Sequence, residues 1–223
     1  KHEEEIVLAP GADPKSDPCL ALRAAVAAAE FGLPIAPGTL QNLKSCPIDD
    51  RTWNDESRSL FLRLLASGPA LLQVWEEIDF VDIPGRLIPE WLAIRNRPSA
   101  SAAHRYTIDR HSVEVVTRLG RETPRGNRYD DRHYQALLLA GILHDVGKRP
   151  GVADHAAEGA RHASMVLKRM GFDRDIIWWV TLLVREHLTL SEFATGQNPN
   201  DPNVGDELAS RLDHDPLLLD MLF

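Results

Sequence analysis

The sequence predicts an all-α fold, and three observations carry that prediction. Apolar residues recur every three to four positions along most of the chain. The ends of these segments carry capping acids, prolines at first helical positions and glycine stops. Alternating β-branched stretches are short and scattered, so strands have little support. Residues 1 to 16 hold Pro10, Gly11 and Pro14 among several charges and read as an irregular lead-in. Asp17-Pro18 supplies a capping acid and a proline, and the alanine-rich stretch Leu20 to Phe31 runs to Gly32 and Pro34. A short helix follows from Pro37 or Thr39 to Lys44. The next starts at Asn54 or Asp55, carries Leu60, Phe61, Leu64 and Leu65 on one face, and stops at Gly68-Pro69. Another covers Pro69 to Ile78. Pro84-Gly85 and Pro89 then break the path into short turns that end near Arg95.

Asn96-Arg97-Pro98-Ser99-Ala100-Ser101 is polar, small and proline-containing, and reads as a linker between residues 1–100 and 101–223. Beyond it helices lengthen, and every histidine but His2 lies at or after position 104. The spacing predicts helices over Asp109 to Leu119, Arg132 to Asp145, His155 to Met170 and Arg174 to His187. A last one starts near Asp213 or Pro216. Gly120 to Asp131 and Leu188 to Pro202 read as long loops, and the second is a candidate surface for a protein partner.

Composition narrows the function. The chain of 223 residues can bury a core without disulfides, and its two cysteines, Cys19 and Cys46, set no disulfide framework, which fits a reducing cytoplasm. No apolar run is long enough to span a membrane, and the charged start lacks the apolar core of a signal peptide. A net charge of -8 argues against a broad nucleic-acid surface but leaves room for a small phosphate-bearing substrate at a metal. The chain lacks an initial Met and stops inside the run Leu217 to Phe223, so it reads as a piece of a longer protein.

Chemistry concentrates at helix ends. His144-Asp145 closes the apolar run Ala136 to Leu143 and is followed by Val146-Gly147-Lys148. An imidazole and a carboxylate at the end of a buried helix are costly unless something binds them, and a divalent metal does so. A hydrogen-bonded His-Asp pair is the plainer alternative. Three features favour a site: the residues are adjacent, so the chain must leave the helix to aim both at one point; Gly147 permits a tight turn; and Lys148 adds a cation. His187 likewise closes an apolar helix. His155 follows Asp154 at a helix start, and His111 lies near the start of another, where a lone histidine is ordinarily a surface or capping residue. His162 sits among Arg161, Lys168 and Arg169 and reads as a surface residue. Imidazole and carboxylate without thiolate suit Mn, Mg, Fe or Zn, and the set approaches what two ions bridged by Asp145 need.

These residues resemble the HD superfamily of metal-dependent phosphohydrolases, marked by a His, a His-Asp doublet and a distant Asp. His111 and His144-Asp145 match the first three, and His155 and His187 match the extra histidines of members that hold two metals. Tyr106 to His111, Leu143-His144-Asp145, Asp154-His155 and Leu183 to Leu188 are similar to the HD domain of the bifunctional uridylyltransferase/uridylyl-removing enzymes, which modify the nitrogen-signalling protein PII. Gly85 to Trp91 is similar to the helical segment ahead of that domain. The resemblance implies an all-α HD-domain bundle over 101–223, preceded by a smaller helical segment. It also implies a missing nucleotidyltransferase core, whose Gly-Ser motif and paired aspartates are not found in this sequence. The closing Asp is expected beyond Phe223 rather than at Asp215 or Asp220.

What the resemblance implies for function is metal-dependent hydrolysis of a nucleotidyl-tyrosine phosphodiester on PII, with UMP or AMP as product. Metal ligands would be His111, His144, Asp145, His155 and His187, with Asp145 and Lys148 as the catalytic pair. Hydrolysis of free nucleotides and a non-catalytic helical module remain the alternatives.

Overall fold

The computed structural model describes residues 4–49, 52–99, 106–122, 130–198 and 201–223. Helices carry the architecture: α1 (Leu20–Phe31), α2 (Pro37–Leu43), α3 (Asp55–Leu65), α4 (Pro69–Phe80) and α5 (Ile83–Leu87), then a 3-10 turn at Pro89–Ala93. After them come α6 (Ile108–Glu122), α7 (Asp131–Leu143), α8 (His155–Met170), α9 (Arg174–Glu186), α10 (Thr189–Gly196), α11 (Pro202–Arg211) and α12 (Pro216–Leu222). Among the described residues the extended contacts are two isolated bridges, Ile6 with Ile35 and Pro98 with Thr107. No helix there is long and apolar enough to cross a membrane.

Local chemistry explains the starts and stops. Asn54 and Ser57 form a reciprocal box at α3: the Asn54 side chain accepts from the Ser57 N–H at 3.0 Å, and the Ser57 hydroxyl accepts from the Asn54 N–H at 2.8 Å. Asp130, Asp154, Asp173, Asp201 and Asp215 each accept a backbone N–H at the start of a downstream helix. Gly32 and Gly171 end α1 and α8 in the left-handed conformation that suits glycine. At α1 the cap shifts by two residues, to Cys19: Asp17 accepts from the Cys19 N–H, and the helix itself begins at Leu20.

α7 is the axis of the downstream half. Ala136 to Leu143 are all buried, so this helix has no solvent face at its C-terminal end. Each buried leucine or isoleucine there contributes about 1.5–3 kcal/mol. α6 and α9 pack on α7, α8 packs on α9, and α12 closes over α9. The upstream helices share the same apolar core: α4 lies on α6 and α3 on α7. A Cβ on Gly120 of α6 would stand 2.8 Å from the Gly68 nitrogen, so these backbones meet directly. Glu90 receives two hydrogen bonds from Arg169 of α8, at 2.9 and 2.6 Å, and Arg58 donates to the Met170 carbonyl. The linker read at Asn96 to Ser101 falls partly on Ala100 and Ser101, outside the described residues. Its start is tied down, with the Asn96 N–H bonded to Asp109 Oδ2 at 2.9 Å.

Two expectations are corrected. Leu188 to Pro202 is not one long loop: α10 occupies Thr189–Gly196 and buries Thr189 and Phe193, and α11 begins at Pro202. Gly196 and Pro202 mark helix ends there rather than an irregular stretch. His162 is not a surface residue but 6% exposed, on the α8 stripe that also buries Gly159, Ala163 and Val166. Its Nε2 lies 2.9 Å from Glu158 Oε1. Of the loop read from Gly120 to Asp131, residues 123–129 lie outside the described set, and α6 extends into its start.

Candidate metal centre

The centre is built where four helix ends converge. His111 sits in the first turn of α6, its N–H bonded to the Thr107 carbonyl at 2.8 Å. His144 stands at the C-terminal cap of α7, and Asp145 opens the turn that follows. His155 is the first residue of α8, and His187 is the C-terminal cap of α9.

Both cap histidines use the same local device. The last carbonyls of a helix lack intrahelical partners. His144 Nδ1 donates to the Gly141 carbonyl at 2.8 Å, and His187 Nδ1 donates to the Val184 carbonyl at 2.7 Å. A carbonyl can only accept, so Nδ1 carries the proton in each ring. That leaves Nε2 as a lone-pair donor turned inward. Adjacent imidazoles follow one another edge-on, with His111 to His144 at 5.2 Å, His144 to His187 at 5.3 Å and His187 to His155 at 5.4 Å between ring centroids.

Asp145 lies at the middle, its side chain 1% exposed. Oδ2 is 3.4 Å from His144 Nε2 and 2.8 Å from Lys148 Nζ, while Oδ1 is 3.6 Å from His187 Nε2. The donor atoms form two groups, each within 4.8 Å: His111, His144 and Asp145, and Asp145, His155 and His187. One carboxylate thus serves both. Burial pushes the Asp145 carboxyl up, but the His144 imidazole and the Lys148 ammonium outweigh burial and hold it well below the usual carboxylate range. Burial pulls His187 down to about 4, with the neighbouring His144 and His155 adding to the shift. Burial, then the Lys148 charge, lowers His155. At neutral pH the centre therefore offers neutral His155 and His187 imidazoles and an ionised Asp145 carboxylate, the protonation states that bind a metal.

The donors fit a divalent ion on a second count. Asp145 Oδ1, His155 Nε2 and His187 Nε2 are buried with no hydrogen-bond partner. Each such orphan costs about 1–3 kcal/mol, and one cation bound by the three removes all three penalties. Nitrogen and oxygen donors without thiolate suit Mn, Mg, Fe or Zn.

Glycines set the close approaches. A Cβ on Gly147 would stand 2.2 Å from the His155 carbonyl oxygen and 2.4 Å from the Gly159 nitrogen. The turn after the doublet therefore rests on the backbone of α8, which carries His155 to Asp145. The sequence reading credited Gly147 with a tight turn; its φ is not positive, and contact rather than conformation demands the glycine. Gly141 performs the corresponding service between α7 and α6, where a Cβ would meet Leu119 Cδ1 at 2.9 Å.

All five predicted ligand residues and Lys148 come together. Asp215 instead caps α12 through the Leu217 N–H, and neither it nor Asp220 joins the two donor groups. Sequence reasoning missed the carbonyls of Gly141 and Val184 that orient the imidazoles. The signal was present: each lies three residues before a histidine that ends an apolar helix. It also missed the two openings on the centre. A cavity of about 370 Å³ reaches His111, His144, Asp145, Lys148 and His187. A cleft of about 480 Å³ reaches His155 from the other side, between α8, α9, α10 and α11.

A family profile described as HD domain matches residues 108–215. The chain is 38% identical over its full 223 residues to the bifunctional uridylyltransferase/uridylyl-removing enzyme of Mycobacterium tuberculosis (strain CDC 1551 / Oshkosh), of which it covers 27%. It is 40% identical over 204 residues to the enzyme of that name from Streptomyces coelicolor, spanning 91% of this chain and 24% of the relative. The Corynebacterium glutamicum enzyme of the same name is 31% identical over 210 residues, 93% of this chain and 29% of the relative. The chain thus spans about a quarter of the length of the curated relatives it matches.

Proposed function

We propose, from the match of residues 108–215 to the HD domain family, that the chain hydrolyses the phosphodiester joining a nucleotide, UMP or AMP, to a tyrosine of PII. The observation that carries the reading is the sharing of Asp145 between two three-residue donor groups at the floor of an open cavity. The names of the relatives, uridylyltransferase/uridylyl-removing enzymes, support a uridylyl group as the part removed.

His111, His144 and Asp145 would hold one ion, and Asp145, His155 and His187 a second. Divalent ions bound there lower the pKa of a water and neutralise phosphoryl oxygens. The protein supplies the rest. The Gly141 and Val184 carbonyls fix the imidazoles, so Nε2 meets the ion without rotamer search. Asp145 presents one oxygen to each donor group and is placed to orient the attacking water. Lys148 sits 2.8 Å from Asp145 and is assigned to stabilise the charge that builds on the phosphoryl group. Water oxygen forms a new bond to phosphorus, and the bond from phosphorus to the tyrosine oxygen breaks. The tyrosine oxygen leaves with the electron pair and takes a proton, giving free tyrosine and the nucleoside monophosphate. A phenol of pKa about 10 is an adequate leaving group.

The test is incubation of the Mn-loaded chain with nucleotidylylated PII and, separately, with free nucleotides. Release of UMP or AMP from PII, lost in His144→Ala, is the expected result. Turnover of free nucleotides alone would transfer the assignment to a nucleotidase, and no turnover with no bound metal would favour a non-catalytic module.

A further inference from the structure

Buried polar atoms without hydrogen-bond partners mark the metal centre, and the same signature recurs where α4 meets the first turn of α6. A separate cavity of about 220 Å³ lies there. Its polar and aromatic lining is Trp75, Glu76 and Asp79 of α4, Trp91 of the 3-10 turn, and Asp109 and Arg110 of α6. Trp75 and Asp79 stand four residues apart, on one face of α4. Four of these residues each keep a buried polar atom without a partner among the described residues: Trp75 Nε1, Trp91 Nε1, Asp79 Oδ1 and Asp109 Oδ1. The two indole N–H groups donate, and the two carboxylate oxygens accept. The indoles meet edge to face, with ring centroids 5.3 Å apart. The other aspartate oxygens are engaged: Asp79 Oδ2 takes the Arg95 Nε–H at 2.9 Å, and Asp109 Oδ2 takes the Asn96 N–H at 2.9 Å. Asp109 is only 8% exposed, yet it is met by a backbone N–H and not by a cation among the described contacts. Arg110 is drawn off to Glu76 and Glu114.

We infer that this cavity is a binding site for a small organic ammonium compound, whose N–H groups meet Asp79 Oδ1 and Asp109 Oδ1 and whose own oxygen accepts from the Trp75 and Trp91 indoles. A buried carboxylate without a cation is among the costliest groups a fold can hold, and a bound ammonium offsets that cost. A bare metal ion serves the carboxylates but not the indole N–H groups, which can only donate. Water serves all four atoms but leaves the negative charge uncompensated. Indole walls add their own attraction for a cation. The cavity is smaller than drug-sized sites, about 300–1,000 Å³, so the compound has only a few heavy atoms. None of His111, His144, Asp145, His155 and His187 lines it, and the inference stands apart from the hydrolase reading.

The indoles themselves report on binding. The 223-residue chain, isotope-labelled at tryptophan, is titrated with ethanolammonium, which carries both an ammonium and a hydroxyl oxygen, while the indole N–H resonances are followed. Trp75→Phe and Trp91→Phe assign the two signals. The expected result is a saturable shift of both, with the signal of the exposed Trp178 unmoved. Ethanol, which lacks the charge, and magnesium chloride, which lacks the acceptor, should produce neither shift. Asp109→Asn keeps the shape and the acceptor for the Asn96 N–H, and should weaken ethanolammonium binding by at least about tenfold, as expected for one lost charge-assisted hydrogen bond. Asp79→Asn carries the same expectation if Asp109→Asn does not fold. Shifts that fail to saturate would leave ordered water as the occupant and overturn the inference. Equal shifts with magnesium would make this a metal site, and equal shifts with ethanol or undiminished binding in the folded variants would remove the role of charge. Each of these results overturns it as well.

Discussion

The two halves of the candidate metal centre use the same donors and reach them by different means. His111 meets His144 across the α6–α7 packing, where Gly141 faces side-chain ends, Leu119 Cδ1 and Val116 Cγ2, rather than backbone. His155 meets Asp145 and His187 across backbone-to-backbone contact, with Gly147 against the His155 carbonyl and the Gly159 nitrogen. The first half opens on an apolar cavity, the second on a charged cleft. The contrast teaches that one half is held by adjustable packing and the other by contacts that cannot give. Asp145, common to both, is the point at which the whole arrangement fails at once.

The largest effect should come from Asp145→Asn, which keeps the shape and removes the charge shared by both halves. Bound Mn should disappear and turnover fall by more than about a hundredfold. An ion retained at full stoichiometry would break the idea of a shared carboxylate.

Gly147→Ala and Gly141→Ala then separate the halves. The first forces a methyl into backbone atoms and should destabilise by about 3 kcal/mol or more, with loss of the ion held by His155 and His187. The second pushes on Leu119, which can rotate, and should cost only about 1 kcal/mol while preserving metal content. Urea unfolding with elemental analysis reads both. Equal penalties would mean that the two approaches are equally tolerant.

Lys148→Ala should leave metal stoichiometry intact and lower kcat by about a hundredfold, as expected for one lost charge-stabilising donor. A fall in metal content instead would make Lys148 structural.

The smallest effect belongs to the contact that ties the upstream helices to α8. Burial raises the Glu90 carboxyl, but the two Arg169 hydrogen bonds more than offset this and leave it below its ordinary value. A carboxyl depressed in the folded state stabilises above its unfolded pKa, near 4.5, and that contribution fades as pH falls through the folded value. Arg169→Ala should lower stability at pH 7 by about 1–2 kcal/mol, and the deficit should shrink below pH 4.5. A deficit independent of pH would assign the loss to packing of the arginine stem.

The halves also differ in how much of them the sequence discloses. His144 and His187 were legible because each closes an apolar helix, and helical periodicity is a local property. The place of His155 was not derivable locally: it depends on Gly147 lying against α8, a contact between residues that no periodicity connects. His162 was misread because its arginine neighbours suggested a wet face. Its spacing from Gly159 and Val166 puts it on the buried stripe, and Glu158 satisfies its Nε2. α10 and α11 are not legible because Gly196 and Pro202 read as loop residues, while in the fold they mark the end of one helix and the start of the next. Asp201-Pro202 is the same acid-proline pairing that was recognised at Asp17-Pro18, and here it caps a helix. α1 to α4 are legible within about two residues at most ends, since their caps are written in adjacent positions, whereas α5 is not, because Pro84 and Gly85 read as breakers and instead lie inside it.

The most direct measurement is Mn titration of the purified chain followed by electron paramagnetic resonance, on the natural sequence and on Asp145→Asn. The account predicts two ions per chain whose spins are coupled through the shared carboxylate, and neither ion in the variant. Absence of bound Mn from the natural sequence, or uncoupled ions that persist in Asp145→Asn, would contradict it.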